Sequence, residues 1–440
     1  MIDLWNAPTR SAALDALISI PGSKSLTNRW LLLSAIASTP SRINLPLRAR
    51  DTDLMVNALT SLGVGIENSP NALRDYDLQA GPSEADLIIT PGKFTGPTEI
   101  DCGLAGTVMR FVPPIATLAD GDVRFDGDPR ARLRPMKQII ESLEKLGAKI
   151  VDDGRGTLPF TIAANSRIAG GRVELDASAS SQFISALLLA GSRFDDGVEV
   201  VHNGGQLPSL PHIEMTVETL AQVGIPVSVN ILNSNQASWK IEPGKPQGFN
   251  VTVEPDLSNA APFVAAALVT GGSVTIKNWP TQTSQAGDTL RELIPALGGK
   301  VERNGSDVKF SGTGEIFGID FDMHNVGELT PVIAALCALA QTPSQLRGIA
   351  HLRGHETDRL AALATELTKL GGTVKETADG LVIQPATLTG GTFATYDDHR
   401  MAMAGAVIGL RVPDLQIENI ETTSKTLPGF GNMWLEMVNS

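Results

Sequence analysis

Cysteine and long apolar stretches are both scarce in this chain of 440 residues. The two cysteines, Cys102 and Cys337, lie far apart and have no clustered Cys or His beside them. A zinc site or a disulfide framework is therefore excluded as the organising feature, and we expect two buried, unreactive thiols. The longest apolar runs, such as Pro331 to Ala340, are too short to span a bilayer, so we predict no membrane segment.

An excess of positive charge is also lacking, because the net charge is −13. This excludes a general affinity for nucleic acid or for anionic membranes, so basic residues that still cluster carry information. The segment Met1 to Asn6 has no basic region followed by an apolar one, which predicts no secretion signal and a cytoplasmic protein.

One stretch, Pro21 to Arg29, has the features of an anion-binding helix start. The apolar residues Leu17 to Ile20 predict a strand before it, Gly22 permits a tight turn, and a serine can cap the helix that follows. Free backbone N–H groups, Lys24 and Arg29 would together favour a phosphate or carboxylate. The alternative is an ordinary capped helix with solvated cations. The glycine spacing of a nucleotide P-loop is absent.

A unit of about 75 residues recurs along the chain, each time with a helix that ends in a glycine-marked turn and leads into a strand. The marking glycines are Gly63, Gly147, Gly224, Gly298 and Gly371. Six polar clusters open apolar, Ala- and Leu-rich helices and predict capped N-termini. These clusters are Ser23 to Arg29, Gly103 to Thr107, Ser178 to Gln182, Asp256 to Asn259, Gly327 to Thr330 and Asp397 to Arg400.

Helices that are apolar on nearly every side, such as Phe183 to Ala190 and Met401 to Leu410, predict burial all round. A unit with such a helix cannot cover its apolar surface alone. We therefore predict an α/β protein with two closed domains of three repeats each. Parallel buried helices would bring their N-termini to one face of each domain, which would favour anions.

Charged and polar residues gather at the predicted helix starts. Three arginines lie in Asp128 to Pro135, for which a solvated loop is the alternative, and the serines near Ser180 and Ser209 could be simple caps. The mixed charges of His351 to Arg359 and of Asp397 to Arg400 instead favour function, because a buried helix should not begin with unused charges. Arginine suits carboxylate and phosphate ligands because its guanidinium group binds them bidentately.

Taken together, these motifs resemble the EPSP synthase family, the 3-phosphoshikimate 1-carboxyvinyltransferases, from about Ile20 to Phe430. The matching segments are Pro21 to Arg29, Leu104 to Arg110, Asp128 to Pro135, Ser180 to Gln182, Glu356 to Leu360, Asp398 to Met403 and Lys425 to Pro428. The resemblance implies an inside-out α/β fold in two domains, each with three βαβαββ units around buried parallel helices. It implies a discontinuous domain of residues 1–21 plus 254–440, an inserted domain of residues 22–253, and an active site in the cleft between them.

The resemblance also implies a reaction: the enolpyruvyl group of phosphoenolpyruvate passes to the 5-hydroxyl of shikimate 3-phosphate, by addition and elimination, without metal or organic cofactor. It implies no partners besides these substrates, and a monomer. The catalytic residues that it implies are Glu328, Glu356, Lys24 and His399. Those implied for shikimate 3-phosphate are Lys24, Ser25, Arg29, Ser180, Ser181, Gln182, Ser209, Glu328 and His355. Those implied for phosphoenolpyruvate are Lys24, Gly106, Arg134, Gln182, Arg359, Arg400 and Lys425.

Several positions depart from the commoner family pattern. Glu328 replaces a more frequent Asp, His355 a Lys, His351 an Asn, and His212 a Tyr, whereas Gly106 is retained. We therefore expect inhibition by glyphosate, which the resemblance places in the phosphoenolpyruvate pocket.

Two other functions stay open at this point. A UDP-N-acetylglucosamine enolpyruvyltransferase would share the fold, but that family typically carries a Cys, occasionally an Asp, on the loop that here contains Asp128 to Arg130 and no Cys, and Ser180 to Gln182 suit a small phosphorylated ring. A non-catalytic module that binds shikimate-type anions would gain nothing from the acids Glu328 and Glu356.

Overall fold

The computed structural model describes residues 3–70 and 85–440. Contacts between Cα atoms divide the chain into two units. The inserted unit contains the described residues from Gly22 to Val253, and the discontinuous unit combines the residues up to Pro21 with Glu254–Ser440. Each unit buries its own apolar core. None of the helices in these described ranges is long and apolar enough to cross a membrane.

Two strands, β1 (Leu4–Asn6) and β2 (Asp15–Ile18), precede the inserted unit. The helices of the inserted unit are α1 (Lys24–Ile36), α2 (Arg50–Ser61), α3 (Gly106–Ala116), α4 (Lys137–Lys145), α5 (Gln182–Gly191) and α6 (Leu210–Gln222). Its strands are β3 (Ser41–Asn44), β4 (Gly65–Pro70), β5 (Ala85–Thr90), β6 (Thr98–Asp101), β7 (Val123–Asp126), β8 (Ile150–Val151), β9 (Phe160–Ile162), β10 (Gly171–Leu175), β11 (Val198–Asn203), β12 (Ser228–Asn233), β13 (Gln236–Ile241) and β14 (Asn250–Thr252).

The rest of the discontinuous unit follows from Glu254 onward. Its helices are α7 (Leu257–Thr270), α8 (Leu290–Ala296), α9 (Thr330–Ala338), α10 (Arg359–Lys369), α11 (His399–Gly409) and α12 (Phe430–Asn439). Its strands are β15 (Ser273–Ile276), β16 (Lys300–Asn304), β17 (Asp307–Ser311), β18 (Asp320–Asp322), β19 (Ser344–Arg347), β20 (Thr373–Glu376), β21 (Leu381–Gln384), β22 (Gly391–Phe393) and β23 (Leu415–Glu418).

The repeat has one sheet topology. In the order β6-β7-β9-β8, the first two strands are parallel and the last two form an antiparallel hairpin, with α3 and α4 as the connections. The sheets β10-β11-β13-β12 and β18-β19-β21-β20 repeat this order. Each unit contains three sheets in its described residues. The predicted α/β class with βαβαββ repeats is thereby confirmed.

The strand predicted before Pro21 is present as β2 (Asp15–Ile18), but it does not lie in the sheet beside helix α1. Strand β2 instead runs parallel to β15 in the discontinuous unit, while β14 supplies the strand parallel to β3 beside α1. The inserted unit thus closes with a strand from the far end of its own sequence. Pairing between distant segments is set by tertiary packing, which a local apolar pattern does not encode.

The last repeat also differs from the expected βαβαββ order. Its described sheet has three strands, β1-β23-β22, in which β1 near the N-terminus pairs antiparallel with β23. The chain then continues into a short 3-10 segment, Ile420–Lys425, and α12. This difference explains why the sequence has five marking glycines for six repeats. Each of the five ends the second helix of its repeat in the left-handed region, with φ between 81° and 107°, where glycine is favoured.

The predicted burial of the first helix in each repeat is confirmed. Every residue of α3, α9 and α11 is buried, and in each unit the three buried helices contact one another. Their starts are joined by hydrogen bonds: Asn28 of α1 donates to Thr107 of α3, and Arg110 of α3 donates to Gln182 of α5. The buried helices of a unit therefore present their N-terminal ends together, where unsatisfied N–H groups and helix dipoles favour anions.

Candidate active site

The start of α1 places one lysine beside a buried acid. Ser23 caps the helix by accepting a hydrogen bond from the Leu26 N–H, as the sequence predicted. The Lys24 ammonium lies 3.3 Å from an Asp51 oxygen, and the two side chains are 20% and 2% exposed. Asp51 fixes the lysine while leaving part of it accessible. Sequence reasoning missed Asp51, because it lies in the next helix and has no local pattern that points to Lys24.

Arg29, one turn further along α1, is almost fully enclosed at 1% exposure. Its Nε donates to the Thr216 hydroxyl at 2.9 Å, and its two terminal nitrogens donate to the carbonyls of Ser25 and His212. Phe111 packs under the guanidinium. These bonds tie α1 to α6, and through His212 they reach the turn at Ser209.

Two guanidinium groups converge on Gly106, the first residue of α3. A Cβ atom built on Gly106 would lie 3.1 Å from both terminal nitrogens of Arg134 and 3.2 Å from Nη1 of Arg110. Arg110 also donates to the Gln182 amide oxygen at 2.7 Å and packs over Phe183. Like-charged groups this close, beside a helix N-terminus, form a site suited to an anion.

Arg134 is the member of the Asp128 to Pro135 run that turns inward. It is 9% exposed, and its Nε has no hydrogen-bond partner within the described residues. Arg132, by contrast, is exposed to solvent, and its Nε lies 2.9 Å from a carboxylate oxygen of Asp126. The solvated-loop interpretation thus holds for Arg132 but not for Arg134.

The predicted serines lie at the starts of α5 and α6. Ser180 accepts a hydrogen bond from the Gln182 N–H, and Ser181 is the buried residue before α5. Ser209 precedes α6 in the left-handed region, at φ 52°. A non-glycine residue there is uncommon and is retained where surrounding structure fixes it.

In the discontinuous unit, the carboxylate of Glu356 lies between two cations. One oxygen is 2.8 Å from the Lys425 ammonium, and the other is 3.2 Å from the Arg359 guanidinium. The three side chains are at most 10% exposed. Charge-assisted contacts of this length, removed from water, hold the acid firmly in place.

Asp398 fixes the other side of Arg359. It is fully buried, caps α11 by accepting from the Arg400 N–H, and binds Arg359 through two nitrogens at 2.8 and 3.1 Å. Burial alone would lower the pKa of Arg359, but the negative charges of Asp398, Glu356 and Glu328 outweigh it and raise that pKa. Removing either partner of a buried pair leaves an uncompensated charge, at a cost of about 3–5 kcal/mol.

The second predicted acid, Glu328, lies in a 3-10 turn before α9. It accepts a hydrogen bond from the Ser258 hydroxyl at 3.1 Å, and Arg400 donates to the Ser258 carbonyl at 2.7 Å. Ser258 therefore links the starts of α7, α9 and α11. Sequence reasoning named its cluster as a helix start but not this residue as a contact of Glu328.

Two histidines complete this set. His355 Nδ1 lies 3.3 Å from Nη1 of Arg359 and 4.0 Å from a Glu356 oxygen. His399 begins α11, is buried, and has Nδ1 3.8 Å from Asp398.

The structure thus sorts the predicted residues into two sets. The inserted unit contains Lys24, Ser25, Arg29, Gly106, Arg134, Ser180, Ser181, Gln182 and Ser209, and the discontinuous unit contains Glu328, His355, Glu356, Arg359, His399, Arg400 and Lys425. Most members of both sets lie at or beside helix starts, whereas Arg134 follows the 3-10 segment Ala131–Leu133 and Lys425 ends the segment Ile420–Lys425. Within the described residues, no group of three or more His, Cys, Asp or Glu side chains is placed to hold a metal ion.

Comparison with known proteins identifies the family. The model of the family described as EPSP synthase (3-phosphoshikimate 1-carboxyvinyltransferase) matches residues 8–434. The chain belongs to the EPSP synthase family. A 3-phosphoshikimate 1-carboxyvinyltransferase from Kocuria rhizophila is 52% identical over 444 aligned residues, covering 100% of this chain and 97% of the relative.

Solved structures agree with this assignment. EPSP synthase from Acinetobacter baumannii aligns with a TM-score of 0.79 at 25% identity, covering 99% of this chain and 98% of that one. The enolpyruvyl transferase NikO from Streptomyces tendae has a TM-score of 0.74 at 14% identity, with the same coverage. The likeness to NikO extends to the fold alone.

Proposed function

We propose that this EPSP synthase family member transfers the enolpyruvyl group of phosphoenolpyruvate to the 5-hydroxyl of shikimate 3-phosphate and releases phosphate. The full-length identity to the Kocuria rhizophila enzyme supports the reaction. The observation that carries the chemistry is the position of Glu356 between Lys425 and Arg359, because a carboxylate held by two cations can respond to an anionic substrate.

In this proposal Glu356 is the proton donor. Phosphoenolpyruvate brings a carboxylate and a phosphate to Lys425 and Arg359, which then share their charge with the substrate. Glu356 is left beside new negative charge, which favours its protonated form. It can then deliver a proton to C3 of phosphoenolpyruvate, so that C2 becomes electrophilic.

Glu328 is the proposed base for the acceptor. Ser258 donates a hydrogen bond to one of its oxygens and so helps to fix the carboxylate. As the 5-hydroxyl oxygen bonds to C2, its proton passes to Glu328, and a tetrahedral ketal phosphate forms. The bond from C2 to the phosphate oxygen then breaks. The C3 proton returns to a carboxylate, the alkene re-forms, and Glu328 gives its proton to the departing phosphate.

The inserted-unit set supplies the remaining proposed contacts. Gly106 with Arg134 and Arg110 suits an anionic group of phosphoenolpyruvate, and Lys24 and Gln182 serve both substrates. Preorganised cations of this kind stabilise negative charge as it develops on a leaving phosphate. The remaining assignments are those that the family resemblance implies: Ser25, Arg29, Ser180, Ser181, Ser209 and His355 for shikimate 3-phosphate, Arg400 for phosphoenolpyruvate, and His399 for catalysis. The proposal includes an active site between the two units, a cytoplasmic monomer, and no metal or organic cofactor.

The deciding experiment measures phosphate release from phosphoenolpyruvate by purified protein without added metal. Release with shikimate 3-phosphate, and none with UDP-N-acetylglucosamine, is the expected result. Release with the second acceptor alone would move the chain to the sister activity. Release with neither, together with calorimetric binding of shikimate 3-phosphate, would support the binding module instead.

A further inference from the structure

A buried carboxylate outside the two site-residue sets holds the loop that leads into α11. Glu366, on α10, is fully buried. Its Oε1 accepts hydrogen bonds from the Tyr396 hydroxyl and the Lys369 ammonium, both at 2.6 Å, and its Oε2 accepts from the Ala394 N–H at 3.0 Å. A buried charge needs such partners, and two of the three belong to the loop.

That loop, residues 394–398, has an unfavourable backbone. Tyr396 and Asp397 are consecutive and both lie in the left-handed region, at φ 56°. Such a conformation costs about 1–2 kcal/mol for each non-glycine residue and persists only where surrounding contacts fix it. The loop ends at Asp398, the cap of α11 and the bidentate partner of Arg359.

Helix α10 therefore binds the loop at two points on one face. Arg359 and Glu366 are seven residues, or two turns, apart, which puts them on the same side of the helix with about 10 Å between them. The first binds the end of the loop at Asp398, and the second binds its beginning at Ala394 and its middle at Tyr396.

We propose that Glu366 and Tyr396 form a positioning pair for the proposed reaction. By holding the loop in its left-handed conformation, they set the position of Asp398, and Asp398 in turn orients Arg359 toward phosphoenolpyruvate. Neither member of the pair contacts Arg359 in the described hydrogen bonds, so both act through the loop. This inference rests on the proposed function for its kinetic consequence, but not for its structural one.

Tyr396 is suited to this role because it keeps its proton. Burial, the hydrogen bond to Glu366 and the negative charge of Glu366 raise the pKa of Tyr396 to about 12. The hydroxyl thus donates to Glu366 throughout the pH range in which the protein would work.

The experiment compares two variants that each remove one partner of the same Glu366 oxygen. Tyr396→Phe deletes the loop contact, whereas Lys369→Gln deletes the contact of a side chain that is 53% exposed and lies outside the loop. We expect Tyr396→Phe to raise KM for phosphoenolpyruvate about tenfold and to lower kcat, with KM for shikimate 3-phosphate within about twofold of wild type. Lys369→Gln removes the cation beside a buried carboxylate and should lower the Tm, but kcat and both KM values should match wild type because the two loop contacts of Glu366 remain. Glu366→Gln, measured where it folds, should resemble Tyr396→Phe.

A second readout does not depend on turnover. Hydrogen exchange of the amides in residues 394–398 should accelerate in Tyr396→Phe and stay at the wild-type rate in Lys369→Gln. Equal exchange and equal kinetics in the two variants would overturn the inference, as would equal losses for both substrates. If the wild-type protein transfers no enolpyruvyl group, the proposed function fails, and the exchange result alone decides whether the pair holds the loop.

Discussion

Gly106→Ala tests whether the two arginines at the start of α3 form the anion site. The added Cβ would lie 3.1 Å from the terminal nitrogens of Arg134 and 3.2 Å from Arg110, closer than ordinary contact. The guanidinium ends are flexible, so they would yield by a few tenths of an ångström. Gly106 has no positive φ, so alanine fits its backbone, and in a helix that exchange is favourable by up to about 1 kcal/mol. The fold should therefore survive while the site narrows.

The kinetic consequence follows from charge-assisted bonds that no longer align. A loss of about 1.4 kcal/mol in binding corresponds to a tenfold rise in KM for phosphoenolpyruvate, and we expect an effect of about that size. The wild-type protein should be inhibited by glyphosate, and Gly106→Ala should need a higher concentration. Steady-state kinetics with both substrates, glyphosate titration and a thermal melt measure these effects.

The control is Gly65→Ala, where a Cβ would make ordinary contacts of 3.4 and 3.5 Å with Thr90 in a β-strand. It should leave both KM values and glyphosate inhibition unchanged. An unchanged KM for phosphoenolpyruvate in Gly106→Ala would refute the anion-site assignment. A Tm loss of about 5 °C or more would show instead that the substitution damages the fold. Full wild-type turnover in millimolar glyphosate would refute the expected sensitivity.

Three further predictions follow from single side chains. Glu356→Gln keeps the shape but cannot supply the proton, so kcat should fall about 10²- to 10⁴-fold while calorimetry still detects shikimate 3-phosphate binding; near-normal turnover would remove its assigned role. Arg134→Lys should raise KM for phosphoenolpyruvate, because a lysine cannot bind an anion bidentately. The control Arg132→Lys changes a solvent-exposed residue that pairs with Asp126 and should leave this KM unchanged. Equal effects of the two substitutions would contradict the inward orientation of Arg134. Burial raises the pKa of the Cys102 thiol and raises the pKa of the Cys337 thiol to about 12, so little thiolate is present at pH 8. A thiol reagent should therefore react with either cysteine only after denaturant is added. Rapid labelling of the native protein would contradict this prediction.

Much of the fold could be predicted because its signals are local. The glycines after the second helix of five repeats are fixed by the left-handed turn that ends each helix, and all five have the positive φ that this turn requires. Ser23, Asp256, Asp358 and Asp398 cap helices through their own side chains. The apolar composition of α5 and α11 predicted their burial, since a helix without a polar face has no side to present to water.

The partners of the charged residues could not be predicted in the same way. The sequence determined that Lys24, Glu328 and Glu356 stand at or near helix starts, because capping and periodicity act over a few residues. Only the tertiary structure decided that Asp51 pairs with Lys24, that Ser258 bonds to Glu328, and that Glu366 holds a loop thirty residues away. It likewise decided that β14 rather than β2 lies beside β3. These contacts join residues far apart in sequence, and their geometry exists only once buried helices and sheets have packed together.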